Sequence, residues 1–231
     1  MRKIRLTAEI VALVDRTEPD PGPDAERVPM SDEDYAAAKA HILALNGPGP
    51  LHVFGYGSLL WKPGFEHEQR QPASVHGWHR SFCMLLKRFR GSPERPGLML
   101  ALDHGGSCRG EVFRISSGQV PAQVEKLLRR EIPYRRLARA YRFVTAKTPE
   151  GPVRALTFYA GMRRDFFFVA HAIDDQARLI ARAAGHGGSA AAYLFETVRK
   201  LEELGIHDRY IWHLQELVAE EIRSLHSPGR H

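Results

Sequence analysis

The stretch Leu51-His52-Val53-Phe54-Gly55-Tyr56-Gly57-Ser58 changes within a few residues from an apolar run to a glycine-rich turn. The apolar run is typical of a short buried strand. The glycines permit a positive φ and a close approach of the backbone to a ligand. Consecutive amide groups at such a turn, together with the Ser58 hydroxyl, are suited to bind an anion such as a carboxylate. A tight turn without a ligand would show the same pattern, so both interpretations stay open.

Short strands separated by turn residues follow this stretch, and helices occupy the C-terminal third. Helical spacing of apolar residues predicts helices over 121–131, 190–204 and 208–225. Strands in one block with helices outside it indicate an α+β fold built on a strongly curved sheet or barrel. Runs rich in apolar and aromatic residues predict the strands, at 51–54, 81–86, 97–102, 110–115, 141–146 and 153–159.

The N-terminal residues 1–50 are predicted to form an extension outside the main domain. Residues 1–30 are rich in Pro, Asp and Glu, which predicts a loosely ordered segment. Ser31-Asp32-Glu33-Asp34 has the pattern of a capping box and predicts one helix over about 31–45. We expect the main domain to cover 51–225, with a tail at 226–231.

Composition favours a cytoplasmic protein and indicates neither a membrane nor a nucleic-acid partner. The chain has 231 residues and two cysteines, too few for a disulfide framework, which favours a reducing compartment. The apolar stretch near the N-terminus is short and carries Glu9, so we expect no secretory signal. No apolar run approaches the roughly 20 residues of a membrane span. The net charge of +6 lies in basic clusters that indicate a solvated face rather than a nucleic-acid site, because no binding motif accompanies them.

The sequence predicts neither a nucleotide site nor a metal site. The glycine turn lacks the Gly-Lys-Ser/Thr ending of a P-loop and the third glycine of the dinucleotide-binding motif. His76 and His79 are three residues apart, but no third ligand follows at zinc-like spacing. We therefore expect no metal and no cofactor.

Several blocks, in order, resemble the ChaC-type γ-glutamylcyclotransferases. The resemblance covers roughly residues 51–220 and leaves residues 1–50 outside it. The similar blocks are Val53–Pro63, Val75–Cys83, Pro96–Asp103, Gly105–Cys108, Gly110–Arg114, Leu128–Glu131, Tyr193–Phe195 and Leu204–Asp208.

This resemblance implies a small mixed β-barrel with surrounding helices, and it also implies a reaction. Enzymes of the family cut a γ-glutamyl amide and release 5-oxoproline, and the ChaC type acts on glutathione and also releases cysteinylglycine. By resemblance, Glu131 is the catalytic carboxylate. The turn Tyr56-Gly57-Ser58-Leu59 holds the α-carboxylate of the γ-glutamyl group, and Tyr159 and Tyr193 border the pocket.

The chemistry explains why such a site needs one carboxylate. The α-amine attacks the γ-carbonyl of the same residue, so a base must take a proton from it and an acid must protonate the leaving nitrogen. A glutamate in a partly apolar pocket, with Leu128 and Ile132 as neighbours, suits both steps because burial raises its pKa. From the residues alone, Glu131 is more simply a surface carboxylate paired with Arg129, Arg130 or Arg135.

Two segments depart from the family pattern and leave the substrate open. Ile132–Arg136 replaces a Gly-aromatic pair, and Ala190 stands where the family favours Asn, after Gly187-Gly188-Ser189. The alternatives are a cyclotransferase for another γ-glutamyl amine or peptide, and a non-catalytic ligand-binding regulatory module. The sequence is silent on the oligomeric state.

Overall fold

The computed structural model describes residues 4–23, 27–161 and 168–227. Its helices are α1 (Ala8–Ala12), α2 (Asp32–Asn46), α3 (Val120–Glu131), α4 (Ile173–Arg182), α5 (Ala190–Glu203) and α6 (Arg209–His226). Its strands are β1 (Leu51–Gly55), β2 (Gln69–Leu86), β3 (Gly97–Ile115), β4 (Tyr141–Thr148), β5 (Gly151–Phe158), β6 (Ala184–Gly185) and β7 (Gly188–Ser189).

The chain divides into two compact units. The barrel unit comprises Ala25–Ser81 and Ala101–Asp165, and the helical unit comprises Met1–Asp24, Phe82–Leu100 and Phe166–His231. The sequence-based boundaries 1–50, 51–225 and 226–231 stay predictions. Within them, residues 1–3, 24–26, 162–167 and 228–231 lie outside the described residues.

A closed barrel in the order β1-β3-β2-β4-β5 forms the centre of the barrel unit. β1 pairs antiparallel with β3, placing Gly55 opposite Glu111, and parallel with β5, placing Val53 opposite Leu156. The barrel therefore mixes parallel and antiparallel pairs, and closure leaves no unpaired sheet edge. The predicted α+β fold with a small mixed barrel and surrounding helices is confirmed.

One apolar cluster contains residues from every strand of the barrel. Side chains two residues apart on a strand face the same side, so alternate positions reach this cluster. Tyr56, Val144, Val153 and Tyr159 are partly buried and pack against it. Its buried members are Phe54, Ala73, Val75, Trp78, Leu102, Cys108, Val112, Ala146 and Ala155.

Two strands are longer than predicted. β2 begins at Gln69, well before the predicted start at Ser81, because its polar first half did not match an apolar strand pattern. β3 joins the two strands predicted at 97–102 and 110–115. Gly105 and Gly106 lie in β3 with φ of +103° and +68°, so this turn-like composition bends the strand without ending it.

The predicted capping box at the start of α2 is confirmed. The amide of Asp34 donates to Ser31 Oγ at 3.2 Å, and the amide of Ser31 donates to Asp34 Oδ2 at 2.9 Å. α2 packs against α3, which ends at Glu131. The helical part of the predicted extension thus belongs to the barrel unit and contacts the helix that carries the candidate catalytic residue.

The prediction of a loosely ordered segment over residues 1–30 is wrong for its first part. Leu6 and Val11 are buried in the helical unit, where α1 contacts α5 and α6. The amides of Arg5 and Leu6 both donate to Gln215 Oε1, at 2.9 and 2.8 Å. The apolar residues that anchor this part of the chain precede the proline-rich stretch. The average composition of residues 1–30 does not reveal them.

The remaining helices of the helical unit, α4, α5 and α6, pack against one another. α4 and α5 both contact α6, and Asp208 caps α6 as predicted by accepting a hydrogen bond from the amide of Ile211 at 3.3 Å. Among the described helices, none combines the length and apolar character that a bilayer crossing requires.

Candidate active site

Glu131 is the last residue of α3 and continues the buried face of that helix. Val124, Leu127 and Leu128 are buried, and Glu131 lies at a helical spacing from each of them. The helix ends here because Ile132 leaves helical geometry, with φ −126° and ψ 76°, and Pro133 follows. The Glu131 side chain keeps 22% of its surface exposed, so it is largely enclosed but accessible to a small ligand.

Burial raises the pKa of Glu131 above the ordinary value of a glutamate. The neighbouring Arg130 acts in the opposite direction, through its charge and a hydrogen bond, and has the smaller effect. Arg130 Nε lies 2.9 Å from Glu131 Oε1. The carboxyl group is therefore poised to exchange a proton more readily near neutral pH than an exposed glutamate.

Arg130 joins this carboxylate to the glycine turn. Its Nη2 atom donates to Ser58 Oγ at 2.9 Å. Its Nη1 atom donates to the carbonyl oxygen of Pro63 at 2.7 Å and also to that of Lys62. One guanidinium group thus binds both ends of the segment from Ser58 to Pro63, while its third nitrogen contacts Glu131.

The glycine turn continues into a 3₁₀ helix at Ser58–Leu60. The amide of Leu60 donates to the Gly57 carbonyl at 2.9 Å, and those of Trp61 and Lys62 donate to the Ser58 carbonyl at 3.2 and 2.8 Å. Gly57 has φ −131°, so it does not use the positive φ that a glycine permits.

A glycine is required at position 55 because neighbouring atoms lie too close for a side chain, and not because the backbone there needs an unusual conformation. A Cβ atom at Gly55 would lie 2.8 Å from Cε2 of Phe113, and one at Gly110 would overlap the carbonyl oxygen of Gly55. β1 and β3 therefore meet through two glycines at the point where the turn begins. The base of the turn is fixed by packing before any ligand binds.

Tyr56 and Tyr159, both predicted substrate residues, pack against the same apolar cluster of the barrel. The carbonyl of Tyr56 accepts a hydrogen bond of 2.7 Å from Nε of the buried Arg80. The Tyr159 ring meets Trp78 edge-on, with ring centroids 5.5 Å apart. The structure thus brings these two tyrosines to one end of the barrel, next to the turn.

Several residues at this end were not identified from the sequence. His104 stacks on Trp78 with ring centroids 4.3 Å apart. The Arg142 guanidinium lies 5.3 Å from the Trp78 ring centre and 5.6 Å from that of Tyr159. The spacing of Arg142 two residues before Val144, whose side chain packs on the barrel cluster, is the signal that would have placed it here.

The segment after Glu131, which departs from the family pattern, is held by the N-terminal part of the barrel unit. Tyr35 Oη donates to the Ile132 carbonyl at 3.1 Å, and the amide of Met30 donates to the Pro133 carbonyl at 3.1 Å. The amide of Arg135 in turn donates to the Val28 carbonyl at 3.0 Å. Residues 28–35 thus fix the backbone directly after the candidate catalytic residue.

Tyr193, the remaining predicted substrate residue, belongs to the helical unit. It lies on α5, where its ring meets Phe82 edge-on at 6.0 Å and the Arg90 guanidinium lies 5.5 Å from the ring centre. The second departing segment lies in the same unit: Ser189 caps α5, and its carbonyl accepts from Arg90 Nη1 at 2.7 Å. The role of Tyr193 in substrate binding stays a prediction.

Within residues 4–23, 27–161 and 168–227, no group of three or more His, Cys, Asp or Glu side chains is arranged to hold a metal ion.

Comparison with known proteins identifies one family. The family described as ChaC-like protein matches residues 51–221. The glutathione-specific gamma-glutamylcyclotransferase of Escherichia coli (strain K12) is 33% identical over 187 residues, which cover 79% of each chain. Gamma-glutamylcyclotransferase 2-1 of Arabidopsis thaliana is 27% identical over 77% of this chain and 89% of its own. The crystal structure of a yeast gamma-glutamyl cyclotransferase specific to glutathione superimposes with a TM-score of 0.66 at 21% identity, covering 75% of this chain and 97% of that one, and supports the fold.

Proposed function

Because the chain belongs to the ChaC-like family, we propose that it degrades glutathione to 5-oxoproline and cysteinylglycine. The name of its Escherichia coli relative, which specifies glutathione, supports the substrate. The observation that carries the proposal is the link from Glu131 through Arg130 to Ser58. It connects a largely buried carboxylate of raised pKa to a turn suited to bind a carboxylate.

The reaction forms one carbon–nitrogen bond and breaks another. The α-amine attacks the γ-carbonyl carbon, a five-membered lactam closes, and the amide bond to the cysteine nitrogen breaks. The attacking nitrogen loses two protons as its ammonium group becomes the lactam N–H, and the leaving nitrogen gains two as it becomes an ammonium group. Glu131 carries both protons in turn, so the proton balance closes without water. A raised pKa suits this double role, because the same carboxyl group must accept and release a proton near neutral pH.

The glycine turn selects the reactive shape of the substrate. The amides of Leu60, Trp61 and Lys62 are used within the turn, which leaves those of Gly57, Ser58 and Leu59 as the donors we assign to the α-carboxylate. Holding that carboxylate close to Glu131 brings the α-amine towards its own γ-carbonyl. Tyr56 and Tyr159 enclose the glutamyl chain on the barrel side.

Turnover of glutathione tests this proposal. The purified protein is incubated with glutathione, and 5-oxoproline and cysteinylglycine are measured by mass spectrometry. Glu131→Gln should lower the rate by roughly 10²-fold or more, since general acid–base catalysis contributes on this scale. Glu125→Gln, on the exposed side of the same helix, is the matched control and should keep the wild-type rate. A Glu131→Gln protein with full activity would refute the assignment.

The alternative substrates are other γ-glutamyl amines or peptides. The observation that favours testing them is the tethering of Ile132 and Pro133 by residues 28–35, in a segment that departs from the family. A panel that compares glutathione with γ-glutamyl amino acids decides between them by the ratio of kcat/KM values. The proposed preference for glutathione fails if a γ-glutamyl amino acid is the better substrate.

We assign the reaction to the cytoplasm, where glutathione is kept reduced. Cys83 and Cys108 are buried and carry free thiols, which supports a reducing compartment. Fractionation of cells that express the tagged protein tests this assignment, and recovery outside the cytoplasm would contradict it.

A further inference from the structure

A groove of about 460 Å³ lies beside β4 in the barrel unit, and the proposed chemistry does not use it. The paired residues of β2 and β4 are Ser74 with Lys147 and Val75 with Ala146. The groove lies next to these pairs and is lined by His76, Trp78, Arg142, Val144 and Lys147, among others. Its lining therefore carries two permanent cations and an aromatic wall.

Arg142 and Trp78 both line this groove and both contact Tyr159 in the candidate active site. The guanidinium group of Arg142 lies over the rings of both Trp78 and Tyr159. Contacts of this kind orient the planar group and leave its N–H edge available for a planar anion. Across residues 4–23, 27–161 and 168–227, no carboxylate lies within ion-pair distance of Arg142, in contrast to Arg129 and Arg135, which pair with Asp32 and Asp34.

The strand register gives the span from the glycine turn to this arginine. β5 lies between β1 and β4, and Arg142 stands opposite Thr157, whose hydroxyl donates to the carbonyl of Phe54 at 3.1 Å. Two strand spacings of about 4.8 Å separate β1 from β4, or roughly 10 Å. A tripeptide in extended form also spans roughly 10 Å. A substrate whose α-carboxylate occupies the turn thus places its far end close to Arg142.

We propose that Arg142 binds the C-terminal carboxylate of the leaving peptide, so that the groove selects γ-glutamyl peptides with a free carboxyl end. This inference rests on the proposed function and specifies how that site recognises its substrate. Lys147 supplies further positive charge along the groove, and Trp78 supports the peptide chain. The ligand class is an anionic γ-glutamyl peptide, as opposed to a neutral γ-glutamyl amine.

The test compares glutathione with its glycine ethyl ester, which lacks that carboxylate. The wild-type protein should prefer the free acid in kcat/KM by roughly tenfold or more, the usual effect of a charge-assisted bidentate contact. Arg142→Gln should abolish this preference, chiefly through KM for glutathione, and leave the ester almost unaffected. Arg154→Gln is the matched control, because Arg154 lies on the neighbouring strand over the Phe143 ring, and should keep the preference. An Arg142→Gln protein that loses activity equally on both substrates, or keeps the preference, would overturn the inference.

Binding measurements separate this inference from the proposed reaction. Calorimetry with glutathione and its ester is carried out on Glu131→Gln protein, with and without Arg142→Gln. A preference for the free acid that disappears with Arg142→Gln supports the groove, even if the wild-type protein releases no 5-oxoproline and the proposed reaction fails. Equal binding of acid and ester, or no binding of either, overturns the groove assignment, whatever the wild-type turnover.

Discussion

Arg130 Nη2 donates a hydrogen bond of 2.9 Å to Ser58 Oγ, while Nε of the same side chain contacts the carboxylate of Glu131. Ser58 and Glu131 are far apart in sequence. Ser58 belongs to the glycine turn, and Glu131 is the candidate catalytic carboxylate. Their connection through one rigid guanidinium group makes Arg130 a positioning residue for both the turn and the carboxylate.

Arg130→Lys should therefore lower kcat/KM about tenfold or more, because a lysine keeps the charge but cannot contact Glu131 and the turn together. Arg129→Lys is the matched control, since Arg129 pairs on the exposed side with Asp32 and Glu125. The rates are measured as 5-oxoproline release. Equal rates for both variants would show that the Arg130 link has no part in positioning.

Removing the charge of Arg130 should also shift the pH profile. Arg130 lowers the pKa of Glu131 against the larger effect of burial. In Arg130→Met that opposition is lost and the pKa rises further, so the acid limb of kcat should move to higher pH. A purely structural role for Arg130 would lower the rate without moving this limb.

Glu131 should destabilise the folded protein at neutral pH. Because its folded pKa is raised, the native state binds more protons than the unfolded state, and stability falls as pH rises through the interval between the two pKa values. Glu131→Gln should consequently melt at a higher temperature than the wild type at pH 8. The difference should shrink as pH falls towards and below the unfolded pKa. A constant difference across pH would show that desolvation of the ionised carboxylate is not the cause.

We expect that neither Gly55 nor Gly110 can be replaced by a residue with a side chain without loss of stability. Gly110→Ala places a methyl group against the carbonyl of Gly55, a backbone atom that cannot turn away. We expect a loss of about 1–3 kcal/mol in the free energy of unfolding, the usual cost of overpacking. Gly118→Ala is the control, because a Cβ there meets nothing within 4 Å. Similar denaturant midpoints for the two variants would contradict this account of the turn.

Helix α2 should support activity through one hydrogen bond. Tyr35→Phe removes the bond from Tyr35 Oη to the Ile132 carbonyl, directly after Glu131. The expected loss is about 1 kcal/mol in the free energy of unfolding, with a several-fold lower kcat. Denaturation curves and 5-oxoproline release measure the two effects. Unchanged kcat in the presence of the stability loss would mean that α2 supports the fold alone.

Features specified by neighbouring residues could be predicted from the sequence. The capping box at Ser31 and Asp34, the Asp208 cap and strand β1 all rest on short patterns, and the structure contains each of them. The first half of β2 and helix α4 were missed. Polar residues hide the alternation in the former. In α4 the buried residues Gln176, Ala177, Ile180 and Ala181 do follow helical spacing, so this helix could have been predicted from its sequence.

The contacts that assemble the site lie beyond local sequence patterns. Arg130 was identified only as an ion-pair partner of Glu131, since its bond to Ser58 joins segments that only the closed fold brings together. Arg142 is one of the clustered basic residues that the sequence assigns to a solvated face, and in the structure its neighbours are the rings of Trp78 and Tyr159. Long-range packing decides such environments, and residue spacing indicates only the face of the strand on which Arg142 lies.

The crystal structure of the protein with bound 5-oxoproline tests the central claim most directly. We expect the product carboxylate on the amides of Gly57, Ser58 and Leu59, with the lactam nitrogen about 3 Å from the Glu131 carboxylate. A product molecule bound away from the turn, or one whose lactam nitrogen lies beyond the reach of Glu131, would contradict it.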